Sequence, residues 1–515
     1  MRKGNLKSIG TLLLVVFMMT PALTQEKGSK LIFPAPFAFA IDDMGWMQGN
    51  NQGYGDHIGP YRAGVDKRFD VNDYKAVVEV GKAFNVRIQG VFILSEMDRL
   101  DILDDYPTTT YQRDEWDNSD HIGKDQLEIM DYVRDHAAYL EFGLHGVGHE
   151  YWPEDGVRKR AEWYNTEDNH PWPEKTLRKH LEAFTRVMAQ YGLSVENGHS
   201  FPESFVPCAY SFYWNPHGDY SLGKLLNEKG VKYANTLFHY VSELDPPQGP
   251  NGGGMDHGVL TVNRINYGNP WYELSSLPTV PLAEQESDII ETHFPNWLAQ
   301  DDFLQQQVTQ DYIDYYRMVQ QQENRYVAKN TEQFSSQWLY KKYMDISQRK
   351  PGRYAIDNTR MPDRVYDHKL LGNLVVKVPL KENEHIQDAK LNDESIAAYY
   401  EEAGYGFIYL PPLDQKKYEL SYKTGSATTM PHVYHNGTYN VYHFESGKKN
   451  TQIRVRVYGD QKLEVRQVKE PVSVSSSNNN LVVKKYEYDE RNQTATLWLE
   501  GLDIQGETST ITLGH

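Results

Sequence analysis

Two adjacent carboxylates close an apolar run in Phe37-Ala-Phe-Ala-Ile-Asp42-Asp43-Met-Gly-Trp46. Well downstream, two histidines separated by three residues end a second such run, Glu141-Phe-Gly-Leu-His145-Gly-Val-Gly-His149-Glu150. A third run, Asp288-Ile-Ile-Glu-Thr-His293, stops on another histidine. Two imidazoles at this spacing can converge on one ion if the backbone turns between them, and Gly146 and Gly148 permit that turn. One carboxylate from another strand end would complete the set. Two neutral imidazoles and a carboxylate leave positions open for water and substrate, the arrangement of metal-assisted hydrolysis. The other acid of the pair would then lie beside that water as a base. Taken singly, such a histidine pair is commonly structural and an Asp-Asp pair a cap or turn. Their conjunction at the ends of apolar runs carries the chemical reading.

The elements that must position these groups are legible as alternating patterns. Residues 31 to about 300 interleave strand-like apolar runs with periodic, helix-like ones, the signature of βα units around a parallel sheet or barrel. Strands are expected at Val86–Leu94, Tyr139–Leu144, Lys232–Thr236 and Asp288–Thr292, and helices at Asp73–Phe84, Lys124–Ala138, Pro173–Tyr191 and Ser221–Lys229. In Pro173–Tyr191 the apolar positions Leu177, Leu181, Phe184, Val187 and Met188 form one stripe. The acids and histidines fall at the C-terminal ends of strands, where open sheets and barrels put their chemistry. Asp245–Gly258, rich in Pro and Gly, reads as a loop. The Gly-rich segment Gly49–Gly59 with Asp56-His57 reads as a βα loop near the same rim, and Asp256-His257 as a loop pair.

Asp302 to about Ser347 reads as helical and is rich in Gln and Tyr, within a helical extension or connector over residues 301–360. From about residue 361 to 515 short β-rich runs recur between turns, including Asn373–Val378, Gly406–Leu410, Tyr418–Tyr422, Gln452–Val457, Leu481–Lys485 and Thr494–Trp498. That spacing suggests an all-β sandwich-like region, or two small ones with a seam near residues 426–435.

Arg2, Lys3 and Lys7 precede the apolar run Thr11–Met19 and small residues, the pattern of a secretory signal peptide over residues 1–24. The expectation is an exported protein, periplasmic or extracellular, with no later stretch of the roughly 20 apolar residues needed to span a membrane. Cys208 is the only cysteine of 515 residues, so neither an intramolecular disulfide nor a thiolate-rich metal site can form. The net charge of −18 argues against nucleic acid and anionic membrane surfaces as partners. The 37 tyrosines and 10 tryptophans provide core and also flat faces able to stack on sugar rings.

Asp42-Asp43 after an apolar strand, followed by His145-x-x-x-His149, resembles the first two motifs of the polysaccharide deacetylases with the NodB homology fold (carbohydrate esterase family 4-like), over roughly residues 31–300. The resemblance implies a distorted (β/α)7 barrel, Asp42 as general base, and a divalent metal, usually zinc, held by Asp43, His145 and His149. Phe201-Pro-Glu-Ser-Phe-Val-Pro207-Cys-Ala-Tyr210 resembles the third motif, which implies backbone amides near Cys208 and Ala209 at the oxyanion. There Phe205 stands where the family has an arginine that orients the base. Asp288–His293 resembles the final motif, in which the histidine protonates the leaving group, and Trp46 and Trp297 would lie at the rim. The implied activity is removal of acetyl groups from a polysaccharide or oligosaccharide. Two alternatives stay open: a glycoside hydrolase on a related barrel, and a glycan-binding protein on a deacetylase scaffold.

Overall fold

The computed structural model describes residues 30–48, 65–110, 117–238, 246–396 and 398–515. The expected leader and the Asp56-His57 segment lie outside them. The chain runs β1 (Ala35–Met44), α1 (Val71–Phe84), β2 (Ile88–Ile93), α2 (Lys124–Asp135), β3 (Leu140–Gly146), α3 (Glu174–Ala189), β4 (Ser204–Phe205), α4 (Leu222–Lys229), β5 (Tyr233–Thr236), β6 (Gly253–Asp256), β7 (Val259–Asn263) and β8 (Ile289–His293). The sheet order is β6-β7-β5-β4-β3-β2-β1-β8, and every neighbouring pair is parallel except β6 with β7. The sheet curls until Ile265, two residues past β7, bridges Ile290 of β8 in parallel. Residues 253–256, expected in a loop, pair with β7 as an antiparallel edge strand.

Local chemistry explains the helix positions. Asp70 caps α1 and forms a reciprocal capping box with Asp73, and Asn85 ends it in the left-handed conformation. The stripe of α3 predicted from periodicity, Leu177 to Met188, is buried. In β1 the even and odd residues face opposite sides, as any strand requires. Phe37 and Phe39 pack on Tyr315 and Tyr316 of the helix α5 (Asp302–Gln321), whereas Ala40 lies on the other side among Leu260 and Ile289. Each fully buried phenyl ring contributes about 1.5–3 kcal/mol.

The short strand β9 (Arg325–Val327) pairs with the start of β1, and helix α6 (Thr331–Tyr343) follows. Nine of its residues are buried, because α6 is wedged between the parallel sheet and the β-rich region. The helical expectation, which runs to about Ser347, fails beyond α6. Residues 345–357 form the hairpin β10 (Asp345–Lys350) and β11 (Arg353–Asp357), which pairs with Lys417–Gly425 in a five-stranded sheet. Lys350-Pro351-Gly352 supplies the turn, with Gly352 at φ 69°.

The β-rich region holds two further sheets, of seven and four strands. No seam falls at residues 426–435. Val433 and Tyr434 pair with Ala398 and Tyr399 on one side and with Val465 and Glu464 on the other, so strands from before and after that segment share the seven-stranded sheet. Arg456 ties the region to the parallel-sheet part through Glu203 and Glu332, each at 2.7 Å, and Arg87 reaches the Ile504 carbonyl at 2.9 Å. Among the described residues no helix is long and apolar enough to cross a membrane.

Candidate functional site

Asp42, Asp43, Trp46, His145, His149, Ala209, Tyr210 and His293 line one cavity of about 320 Å³ at the C-terminal ends of the parallel strands. Strand alternation alone would send neighbouring Asp42 and Asp43 to opposite faces. The ladder between β1 and β2 shifts register between Ile41 and Met44, and Asp43 takes a left-handed φ of 64°. That bulge turns the second carboxylate back into the cavity beside the first. A non-glycine residue at positive φ stores strain, and the surrounding structure must hold it there.

The loop carrying the histidine pair departs in part from the expectation. The chain bends over residues 147–150, Gly148 among them, and His149 itself takes the left-handed φ of 72°. The glycines are required for space. A Cβ on Gly146 would lie 2.2 Å from Glu162 Oε2, and one on Gly148 would lie 1.8 Å from the Thr109 carbonyl oxygen. Glu162, fully buried, accepts the backbone N–H groups of Val147 and His149 at 3.0 Å and faces His180 Nδ1 at 2.9 Å. This clamp sets the loop that presents both imidazoles.

His145 Nδ1 lies 2.7 Å from the Val206 carbonyl. A carbonyl can only accept, so Nδ1 carries the hydrogen and Nε2 keeps its lone pair in the neutral ring. That Nε2 faces Asp43 Oδ1 at 3.2 Å, and His149 Nε2 lies 4.0 Å from the same oxygen. Asp43 Oδ1 is buried and accepts no well-aligned hydrogen bond. The 3.2 Å separation fits two ligands of one tetrahedral ion, which with bonds of about 2.0–2.1 Å would stand about 3.3 Å apart, and it fits equally an N–H at Nε2 directed at the carboxylate. Burial alone would raise the Asp43 carboxyl, but His145 beside it and the charges of His293 and His149 hold it well below the usual carboxylate range. Glu150 Oε1 lies 3.5 Å from His149 Nδ1, the carboxylate-to-imidazole contact that orients ligating histidines.

Among the described residues the three donors whose atoms all lie within 4.8 Å of one another are His145, His149 and Cys208, without Asp43. Asp43 differs from Cys208 in lining the cavity. The Cys208 thiol donates to the His145 carbonyl at 3.2 Å, burial pushes it well above its ordinary pKa, and it does not line the cavity. Its role is to brace the His145 backbone together with Trp163, whose indole N–H donates to the same carbonyl at 2.7 Å.

Phe205 is fully buried against Trp163 and Phe212, so no charge from that position reaches Asp42. The cation comes instead from Arg264, immediately after β7. Its Nη1 donates to Asp42 Oδ1 at 2.7 Å and its Nη2 to Oδ2, a two-pronged pair with both partners buried. Burial opposes ionisation of Asp42, and the Arg264 charge and hydrogen bonds reverse that, so its pKa falls below the ordinary value. Arg264 Nε also lies 3.6 Å from Glu291, which accepts the Tyr210 hydroxyl. Sequence reasoning missed Arg264, Glu291 and Glu162.

His293 Nε2 lies 3.9 Å from Asp42 Oδ2, and its backbone N–H is fixed by Asn296 at 2.8 Å. Ala209 and Tyr210 line the cavity with left-handed backbones, at φ 50° and 62°. Trp46 lines it too, its ring centroid 5.6 Å from that of His149. Trp297 does not. It stacks on Tyr312 at 3.7 Å and donates to Thr292 Oγ1 at 2.9 Å, as part of the core behind β1. Trp271 takes the rim position instead, its ring centroid 6.5 Å from that of His293.

No family model and no curated protein matches the sequence. Among solved structures the chain is similar to a GH57-type branching enzyme from Pyrococcus horikoshii, at 9% identity over 45% of this chain and 47% of that one, with a TM-score of 0.24. It thus spans about half the length of that enzyme, 47%. It is also similar to the catalytic module of a family 98 glycoside hydrolase from Streptococcus pneumoniae, in complex with the LewisY pentasaccharide blood group antigen. There the identity is 8% over 94% of this chain and 99% of that one, with a TM-score of 0.20. Scores this low carry neither a fold nor an activity over to this chain, and the functional reading rests on the cavity.

Proposed function

We propose that this protein is a metal-dependent hydrolase that removes acyl groups from a polysaccharide or oligosaccharide, on a barrel of the NodB homology type. The observation that carries the reading is the buried donor set of Asp43 Oδ1 and His145 Nε2, 3.2 Å apart beside His149, next to a second carboxylate held ionised by its own arginine. Seven parallel strands with their ends meeting at Ile265 and Ile290 support the barrel. The aromatic lining of Trp46, Trp271 and Tyr210 suits a sugar ring, and about 320 Å³ suits one acylated residue better than a chain segment. The basic and then apolar N-terminus suits an exported enzyme.

Asp43, His145 and His149 would hold a divalent ion, zinc in the family resembled, which supplies Lewis acidity toward the acyl carbonyl and lowers the pKa of a water. Asp42 would accept the proton of the attacking water, and Arg264 fixes its orientation and keeps it ionised beforehand. The backbone at Ala209 and Tyr210 borders the position of the developing oxyanion. His293 returns a proton to the departing oxygen or nitrogen, so that ester or amide plus water gives carboxylic acid plus alcohol or amine.

A glycosidase would need one protonated acid facing a second carboxylate. Asp42 and Asp43 are both held below the ordinary carboxylate pKa and suit that role poorly, so on this cavity it would fall to Glu150, which lines the same wall. The test is incubation of the zinc-supplemented protein with acetylated xylan, acetylated mannan and N-acetylglucosamine oligomers, followed by assay of free acetate and of chain length. Acetate without chain shortening is expected. Shortened chains without acetate would establish the glycosidase, and neither product would leave a binding protein.

A further inference from the structure

The β-rich region carries a cavity of about 740 Å³ on one face of the seven-stranded sheet. Its floor is aligned by strand register. Tyr399, Tyr434, Glu464 and Thr496 stand opposite one another in one row across four neighbouring strands. His432, Arg466, Thr494 and Asp489 form the next row. The alternate residues of the same strands, Val433, Leu463, Val465, Ala495 and Leu497, are buried in the core, which anchors this floor on a rigid support.

The floor's charges are largely answered from within. Arg466 pairs with Glu464 at 2.9 Å and Lys462 meets the same carboxylate at 2.8 Å. At the wall, His385 pairs with Glu401 at 2.7 Å, and Asp489 accepts from the Asn492 backbone and amide. Burial pushes His432 down to about 4, so it is uncharged at neutral pH. What the cavity offers a visitor is therefore the Thr496 hydroxyl, the Gln467 amide, the acceptor lone pairs of Thr428 and Thr494, whose hydrogens go to the Ile386 and Asn492 carbonyls, and the part-exposed Arg466 guanidinium. The Arg466 guanidinium lies 3.5 Å from the Tyr434 ring centroid, and Tyr399 stacks on His432 at 4.7 Å, so these planar groups are held in place. Directional neutral hydrogen bonds beside fixed planar surfaces are the requirements of a polyhydroxylated, uncharged ligand.

We propose that this sheet face is a second carbohydrate site that holds uncharged glycan chains. It shares with the reading above only the class of ligand, and its test needs no catalysis. Affinity electrophoresis of the full chain, treated with chelator, in gels containing deacetylated xylan, galactomannan or polygalacturonate separates the outcomes. At least one neutral polysaccharide is expected to retard the protein, undiminished by about 0.5 M NaCl because no net charge drives the contact. Tyr434→Ala and Thr496→Arg should each weaken it by about tenfold or more, with unchanged thermal unfolding, whereas His149→Ala should not. Thr496 is a part-exposed strand residue, so its replacement tests the face even if Tyr434→Ala unfolds. Retardation by polygalacturonate alone, by none of the three, or to the same extent in both variants would overturn the proposal. Retention of binding in a protein that releases no acetate would instead sink the deacylase reading and leave this one standing.

Discussion

Replacing Arg264 by Met tests how the cavity keeps its base. Arg264 is 0% exposed and Asp42 is 3% exposed, and both Asp42 oxygens receive guanidinium hydrogens. Without that group Asp42 keeps His293 Nε2 nearby, at 3.9 Å, and Glu291 also loses the Nε that lies 3.6 Å away. Removing one partner of a buried pair leaves an uncompensated charge and costs about 3–5 kcal/mol. With two carboxylates exposed to that loss, the upper end of the range is expected. Stability would be read from urea unfolding of the wild type, Arg264→Met, Asp42→Asn and the double variant. The double variant should recover much of the loss, because Asp42→Asn removes the charge that Arg264 balances. Acetate release should fall by about a hundredfold or more in Arg264→Met, since a misaimed base forfeits orientation. A cost under about 1 kcal/mol, or a double variant no more stable than Arg264→Met, would refute the reasoning.

Phe205→Arg, which puts the arginine of the resembled family at its place in the sequence, should not raise acetate release. It places a charge in a fully buried position beside Trp163 and should cost about 3–5 kcal/mol in denaturant unfolding. Gly148→Ala puts a methyl group 1.8 Å from the Thr109 carbonyl, so the His149 loop must shift; zinc affinity by competition with a chelator should drop about 10–100-fold while far-UV circular dichroism is unchanged. Asp256 gives a pH signature away from the cavity. Burial pushes its carboxyl up to about 6 from 3.8, so its stabilising contribution is full below about pH 4 and is lost as pH rises through 6. Asp256→Asn should therefore stabilise the protein at pH 8 by up to about 3 kcal/mol and leave it unchanged at pH 4, read from urea midpoints at the two values.

The parts of this site that were legible in the sequence are those whose signal is local. Asp42-Asp43, His145-x-x-x-His149 and His293 each end an apolar run, and a strand end can be read without knowing its neighbours. Arg264 could not be found this way, because it reaches Asp42 across 222 residues and sits in Val262-Asn-Arg-Ile, which carries no motif. Glu162 was hidden for a similar reason: its partners are backbone N–H groups, which leave no trace in residue type. Phe205 pointed to a missing cation, and the gap is filled from another strand. Trp297 was misplaced because the short turn after His293 folds back toward Phe39 and Tyr312, a tertiary choice that strand periodicity does not encode. The β-rich runs are readable from turn spacing, yet the helical pattern of residues 302–347 runs past the end of α6 into β10, where Lys350-Pro351-Gly352 carries a hairpin turn signal.

The central claim, that Asp43, His145 and His149 form one ion site, is tested most directly by elemental analysis of the protein after zinc loading and exhaustive dialysis. The wild type should retain about one divalent ion per chain, and Asp43→Ala, His145→Ala and His149→Ala should each retain less than about a tenth of that while remaining folded. Wild-type protein that keeps no ion, or three variants that keep as much as the wild type, would contradict it.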